Sequence, residues 1–275
     1  MPLPFQLLST DFDGTFYAEF ENPPVPDALA ALIARLQTRG VHWVINTGRD
    51  LSGLLEAMAR ARLTIQPQFV VVVEREIYRL DGARYVSVEP WNEDCRCAQA
   101  ELFARVRPDV PELMAWVNAR FTATLYEDAY SPFCLIAGNN DDADEIMAYL
   151  EAYCQRVPQL TLVRNDVYAR FSHAAYNKGT ALSEIAHRLG VPSDQMLAAG
   201  DHYNDLPMLS NRRARWLLAP ANAVALVQET VRNQLGYVSP LPCGDGLLDG
   251  LLSILKNTGL RPEAVHLEDS AKETR

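Results

Sequence analysis

The sequence predicts an α/β protein, a doubly wound parallel sheet split by an inserted α+β segment. Three observations predict it. Apolar runs of strand length alternate with amphipathic segments over the first third, the alternation gives way near Val86 to helices and paired strands, and it resumes after Asn177. Continuous apolar strands separated by helices imply a parallel sheet covered on both faces.

Taken in order, Phe5 to Thr10 reads as a buried strand. Pro26 to Gly40 reads as a helix, with Leu29, Leu32, Ile33 and Leu36 at helical spacing and Gly40 as its stop. A strand over Val41 to Asn46, a helix from Leu51 to Ala61 and a strand over Phe69 to Val73 follow. Helices are expected over Glu93 to Val106 and Val110 to Arg120, then strands over Phe121 to Tyr126 and Phe133 to Ala137. A helix starts at Asn140-Asp141 and runs to Cys154, and two short strands, Leu160 to Arg164 and Val167 to Phe171, flank the turn at Asn165-Asp166. The parallel pattern then returns: helix Gly179 to Leu189, strand Met196 to Ala199, helix Asp205 to Asn211, strand Arg215 to Leu218, helix Asn222 to Glu229 and helix Asp245 to Lys256. These late segments are too few to build a second large sheet, so they complete the first. The expected division is a core over 1–86 and 175–260, an α+β insertion over 87–174 and a loose polar tail over 261–275.

Composition narrows the function. Of the 275 residues 48% are hydrophobic and 22% charged, which fits a globular chain and not a disordered one. A formal net charge of -10 with no basic stripe argues against a nucleic-acid binder, because such proteins displace counterions from phosphates with clustered lysine and arginine. Five irregularly spaced cysteines do not suggest a disulfide framework; the Cys95-Arg96-Cys97 pair has one residue between its thiols, which is not zinc spacing. The start MPLPFQLLST lacks the basic region of a signal peptide and no run approaches membrane-spanning length, so a cytoplasmic location with reduced thiols is expected. Oligomeric state is not legible.

The chemistry concentrates at strand ends. Side chains two apart in an extended segment lie on one side, so Asp11 and Asp13 in STDFDGTF are expected to converge just beyond the first strand. That edge is where open α/β sheets place their ligands. Gly14 permits a tight turn there. An isolated pair of this kind also serves as a turn cap with a solvated neighbour, and three further clusters weigh against that reading. INTGRD sets Thr47 and Gly48 directly after the second core strand, where a hydroxyl and an amide bind a phosphoryl oxygen. YNKGTAL puts Lys178 at a helix entrance as the core resumes, although a lysine so placed is ordinarily solvated. AAGDHYNDLPML ends an apolar strand in Gly200 and follows it with Asp201, Asn204 and Asp205, acids facing the same edge as the first pair. Unit charges ~4 Å apart repel by ~4 kcal/mol at an effective dielectric near ~20. Such a gathering calls for a cation, and Mg²⁺ takes oxygen ligands while leaving room for water and substrate phosphate.

The four clusters DFDGT, NTGR, NKGTAL and GDHYND together resemble, in order and approximate spacing, the motifs of the haloacid dehalogenase-like phosphohydrolases, and the insertion resembles the cap of their Cof-type, IIB branch. The resemblance implies a Rossmann-like core, Mg²⁺ as cofactor and a small phosphorylated metabolite as substrate, with sugar phosphates the expected class. It implies that Asp11 attacks phosphorus to form an aspartyl phosphate and that Asp13 protonates the leaving alcohol and then activates water. Thr47, Gly48 and Lys178 would hold the transferring oxygens, and Asn204 would touch the phosphate. Asp11, the Asp13 carbonyl and Asp201 would bind Mg²⁺; Asp205 would ligate through water or orient Lys178. Relatives usually carry Asn-Gly after the third core strand, where this chain has Glu74-Arg75-Glu76. Arg75 is expected either to contact an anionic substrate or to be an exposed, ion-paired arginine. Arg164 and Arg170, flanking the hairpin in the insertion, are candidates for a second anionic group. Tyr126, Tyr130 and His173 are further candidates, with packing or exposure the plainer expectation. A sugar phosphomutase of the same architecture and a non-catalytic binding relative remain open.

Overall fold

The computed structural model describes residues 3–257. β1 (Leu7–Thr10) has all four residues buried, as a central strand requires. α1 (Asp27–Thr38) turns Leu29, Leu32, Ile33 and Leu36 inward. β2 (His42–Asn46), α2 (Leu51–Arg60) and β3 (Phe69–Val72) follow. α2 begins where the Asp50 carboxylate accepts from the Gly53 amide at 2.7 Å, a cap worth about 1 kcal/mol.

Beyond β3 the chain forms a hairpin absent from the expected elements. β4 (Glu76–Asp81) and β5 (Arg84–Ser87) pair antiparallel around Gly82 and Ala83, the glycine taking φ +61°. These strands lie at the sheet edge, half exposed, so charged residues occupy positions that a central strand fills with Val or Ile.

The inserted layer comprises α3 (Trp91–Val106), α4 (Val110–Asn118), β6 (Ala123–Tyr126), β7 (Cys134–Ala137), α5 (Asn140–Cys154), β8 (Leu160–Asn165) and β9 (Tyr168–His173). Its strands form an antiparallel sheet in the order β6-β7-β9-β8. Leu102, Val106, Val117, Phe133, Leu150 and Phe171 give it a hydrophobic core of its own.

α6 (Lys178–Leu189) resumes the first layer, capped by Asn177, whose side chain accepts from the Gly179 and Thr180 amides at 3.0 Å. β10 (Met196–Ala199), β11 (Trp216–Ala219), α7 (Ala225–Asn233), β12 (Tyr237–Val238) and α8 (Cys243–Asn257) complete it. Two expectations are corrected here. The helix expected over Asp205 to Asn211 is a single 3-10 turn, Tyr203–Asp205, because the Asp205 side chain bonds back to the Asp201 and His202 amides instead of facing solvent. The helix expected from Asn222 starts only at Ala225, and a short strand, β12, follows it. The expected tail over 261–275 lies outside the described residues.

The large sheet runs β12-β11-β10-β1-β2-β3-β4-β5, parallel from β12 to β3. α1, α2 and α8 cover one face with Leu29, Ile33, Leu54 and Leu251, and α6 and α7 cover the other with Leu182, Ile185, Val227 and Val231. From β1 the chain winds outward to β2 and β3, and later returns to β1's opposite side with β10. Strand order therefore reverses at β1 and β10, which opens a crevice at their carboxyl ends. No described helix is long and apolar enough to cross a membrane.

Candidate active site

The crevice collects the ends of three strands and the start of one helix. The ladder extends one bond past β1, from the Asp11 amide to the Ala199 carbonyl at 2.8 Å, so Asp11 leaves the sheet in a fixed direction. Lys178 stands at the first turn of α6 and is fully buried, contrary to the ordinary fate of such a lysine. Its Nζ donates to Asp11 Oδ1 at 2.6 Å and to Asp205 Oδ1 at 2.7 Å. Asp205 Oδ2 accepts from the Asp201 and His202 amides, both at 2.9 Å, so both oxygens of this side chain are engaged. Asp201 Oδ1 accepts from Thr15 Oγ1 at 2.7 Å.

Ligand oxygens of Asp11, Asp201 and Asp205 lie within 4.8 Å of one another, and all three residues are buried. One ammonium faces three carboxylates. Burial first, then the Asp205 charge, pushes the Asp11 carboxyl well above its usual range. The same two causes push Asp201 up to about 7. Burial alone would lower the Lys178 pKa, but Asp11 and Asp205 outweigh it and hold the ammonium charged. One ammonium among three buried carboxylates leaves negative charge uncompensated, which is the condition a divalent ion relieves. The backbone makes room for one. A Cβ on Gly14, whose φ is +77°, would stand 2.5 Å from Asp201 Oδ2, so this turn tolerates no side chain beside the carboxylate. Oxygen donors on a rigid edge suit a hard metal ion.

Asp13 is placed apart from this cluster. Its two oxygens accept from Arg49 Nε at 2.8 Å and Arg49 Nη2 at 2.7 Å, a bidentate pair at the half-open rim. Arg49 was not singled out by sequence reasoning, although it ends the NTGR motif. Thr47 is buried and its Oγ1 accepts from the Arg49 amide at 3.1 Å, which leaves the hydroxyl proton free to be donated elsewhere. Gly48 lies beside Glu74: a Cβ there would stand 3.3 Å from Glu74 Oε1. Asn204 Nδ2 donates to that same Oε1 at 3.0 Å.

The three arginines expected to meet substrate are all engaged. Arg170 is buried, and its Nη2 donates to Glu74 Oε2 at 3.2 Å and to the Val73 carbonyl at 3.1 Å, tying β9 to the loop after β3. Arg164 pairs with Asp144, donates to Asn140 Oδ1 at 2.9 Å and stacks 5.0 Å over the Tyr203 ring. Arg75 is not the exposed, ion-paired residue expected. It is 3% exposed, donates to the Tyr130 carbonyl at 3.0 Å and makes no ion pair among the described residues, because the hairpin folds its side chain under Tyr130. His173 accepts from the Ala175 amide through Nδ1 and packs on Tyr176, and Tyr126 is half-buried on β6. Sequence reasoning also missed Thr15 and Asn222, whose Nδ2 donates to the Gly14 carbonyl at 2.9 Å and steadies the turn around Asp201.

Two openings border the site. One of about 710 Å³ is lined by Asp13, Gly14, Tyr17 and the loop to Pro24, with Pro242–Asp245 opposite. The other, about 470 Å³, runs between Thr161–Arg164 of β8 and Tyr203–Pro207, and reaches Glu74, Lys178 and Asn204.

The family described as haloacid dehalogenase-like hydrolase matches residues 117–239. The chain is 27% identical over 280 residues to a glucosylglycerol-phosphate synthase of Pseudomonas anguilliseptica, covering 97% of this chain but only 33% of that protein. It is 33% identical over 240 residues to a phosphoglycolate phosphatase of Methanospirillum hungatei JF-1, covering 87% of this chain and 92% of the relative. Among solved structures the fold matches the sucrose-phosphatase of Synechocystis sp. PCC6803 in complex with sucrose and phosphate, at TM-score 0.68 and 18% identity, over 91% of this chain and 98% of that one. It also matches a putative HAD/COF-like hydrolase of Plasmodium vivax at TM-score 0.65 and 18% identity, over 93% and 97%. A relative one-third identical along nearly its whole length, a matching family description and acids gathered at the sheet's switch point lead to one assignment: the chain belongs to the haloacid dehalogenase-like hydrolase family and is an enzyme of it.

Proposed function

We propose that this protein is a Mg²⁺-dependent phosphomonoester hydrolase acting on a small phosphorylated metabolite, with a sugar phosphate as the substrate class. The observation that carries the reading is the Lys178 ammonium held between Asp11 and Asp205 beside Asp201. A buried lysine locked on one carboxylate of an acid cluster fixes that carboxylate's orientation and supplies positive charge where a phosphoryl group arrives.

In this reading Asp11 attacks phosphorus while the bond to the leaving oxygen breaks, and Asp13 delivers a proton to that oxygen. Water then attacks the aspartyl phosphate, Asp13 takes the water's proton, and inorganic phosphate leaves with Asp11 restored as a carboxylate. Both Asp13 oxygens accept from Arg49, so Asp13 must let go of Arg49 and take up a proton before it serves as the acid. Thr47 donates its hydroxyl, Gly48 its amide and Lys178 its ammonium to the transferring oxygens, with Asn204 alongside. Asp11, the Asp13 carbonyl and Asp201 would hold Mg²⁺; Asp205, with both oxygens engaged, orients Lys178. Bound there, Mg²⁺ supplies charge that neutralises the phosphoryl oxygens. Residues 87–174 act as a cap over a core of 1–86 and 175–260, and the enzyme works in the cytoplasm with its thiols reduced.

Phosphate release from a panel of sugar phosphates and other metabolites, with and without Mg²⁺, tests the reading. Activity that needs the metal and vanishes in Asp11→Asn supports it. Release unchanged in Asp11→Asn, or phosphate returned to the sugar instead of water, overturns it.

A further inference from the structure

Glu74 is a buried carboxylate that the reaction above leaves unused. It occupies the loop after β3, where Val73 and Glu74 take φ +44° and +69°, two consecutive left-handed residues that are not glycine. Such strain persists only where surrounding contacts over-determine it. Here the Val73 amide donates to the Arg49 carbonyl at 2.8 Å and the Glu74 amide to the Thr47 carbonyl at 2.9 Å, which fastens the turn to the loop that presents Thr47 and Gly48. The Glu74 side chain, 5% exposed, is divided between two partners. Its Oε1 accepts from Asn204 Nδ2 at 3.0 Å and its Oε2 from Arg170 Nη2 at 3.2 Å.

Each partner meets a different need. An asparagine amide fits its place either way round, and only its nitrogen can donate to a phosphoryl oxygen. Asn204 Oδ1 is buried and makes no hydrogen bond among the described residues, so the contact with Glu74 sets the orientation of the amide. The reverse orientation would press Oδ1 against Glu74 Oε1, two acceptors together. Glu74 takes one Nδ2 proton and leaves the second for a phosphoryl oxygen, at a residue that lines the same cleft as Lys178. A lone carboxylate beside that site would repel the arriving group. Arg170 removes the objection: it is buried on β9 of the inserted layer and pairs with Glu74, so the two together carry no net charge.

We infer that Glu74 is a positioning residue: its carboxylate holds Asn204 with the amide nitrogen ready for the phosphoryl group, and Arg170 neutralises it so that it can stand there. The inference rests on the placement of Asn204 at the phosphate in the reading above, and deepens it. The measurement is the dissociation constant of inorganic phosphate, by calorimetry on the Mg²⁺-loaded protein. The variants remove both charges of the pair together, because exchanging a buried ion pair for uncharged groups of similar volume is often neutral for stability. Glu74→Leu with Arg170→Met deletes the acceptor; it is expected to melt close to the wild type and to bind phosphate about tenfold more weakly, the scale of a hydrogen bond to a charged group. Glu74→Gln with Arg170→Met keeps an amide oxygen for Asn204 and is expected to stay within about threefold of the wild type. Adding Asn204→Ala to the leucine pair should weaken binding by less than about threefold more, since both changes act through one contact. Glu74→Met with Arg170→Met repeats the test with an unbranched side chain should leucine not pack. Phosphate bound as tightly by the leucine or methionine pair as by the wild type, or as weakly by the glutamine pair as by the leucine pair, overturns the inference. Failure of every pair to fold overturns it too, because Glu74 then serves stability. Phosphate binding without hydrolysis of p-nitrophenyl phosphate or the metabolite panel overturns the hydrolase reading alone, and a wild type that binds no phosphate overturns both.

Discussion

Replacing Lys178 with methionine keeps the length of the side chain and removes its charge, and the consequence follows from two distances. The ammonium is fully buried, 2.6 Å from one carboxylate and 2.7 Å from another. Each attraction at an effective dielectric near ~20 is gross ~6 kcal/mol, and desolvation of three ions offsets much of it. What a deletion measures is the stranded acids, and breaking a buried pair costs about 3–5 kcal/mol. Lys178→Met should therefore lose about that much in urea unfolding at pH 8 with the metal chelated, a large share of a typical stability of about 5–15 kcal/mol. Adding Asp205→Asn to the same chain should recover part of the loss, because one stranded charge is gone. Saturating Mg²⁺ should stabilise the variant more than the wild type, since the ion takes over the missing positive charge. A loss below about 1 kcal/mol, the scale of a surface lysine, would refute the reasoning, as would a double variant no more stable than the single one.

Two further outcomes follow from the same cluster. Burial and the Asp205 charge raise Asp201 to about 7 and Asp11 well above 3.8, so between pH 4 and 7 the folded protein binds protons that the unfolded chain has released. By linkage this contribution to stability is complete at low pH and is lost as pH rises through about 7. Metal-free melting temperatures should reflect that loss between pH 6 and 8, and Mg²⁺, which binds the deprotonated acids, should raise the melting temperature more at pH 8 than at pH 6; no shift with Mg²⁺ at pH 8 refutes the metal site. Gly14→Ala should cost about 1–2 kcal/mol for its left-handed backbone and also weaken the Mg²⁺-induced shift, because the new methyl displaces Asp201. Gly40→Ala, at φ +87° with nothing within 4 Å, is the control that carries only the backbone cost in the same melts.

The motif acids and the parallel half of the sheet were legible because each is a local pattern: a buried apolar run ending in Asp, or a cap such as Asn177 before a helix. What was not legible depends on long-range partners. Lysine at a helix start looks solvated until Asp11, far away in sequence, is known to face it. Arg75 looks exposed until the β4–β5 hairpin folds it under Tyr130. That hairpin had its own signal, Gly82 at the first position of a two-residue turn, but charge on an edge strand masks the apolar period that identifies interior strands. The 3-10 turn at Tyr203–Asp205 was misread for a related reason. Its sequence favours a helix start, and only the bonds from Asp205 to the Asp201 and His202 amides divert it.

The pairing of Leu7 with Met196 at the centre of the sheet bears on how the molecule is born. A nascent chain that has not yet reached Met196 carries an interior strand with one hydrogen-bonding edge bare and apolar on both faces, the sort of template that invites association with other chains. The middle segment, with its separate core, emerges from the ribosome while that edge is still open. Products that stall before Met196 are thus sticky, and they lack Asp201 and Asp205, which follow the strand that closes the gap. A cell making this chain gains most from chaperones that shield β1 until β10 has been made.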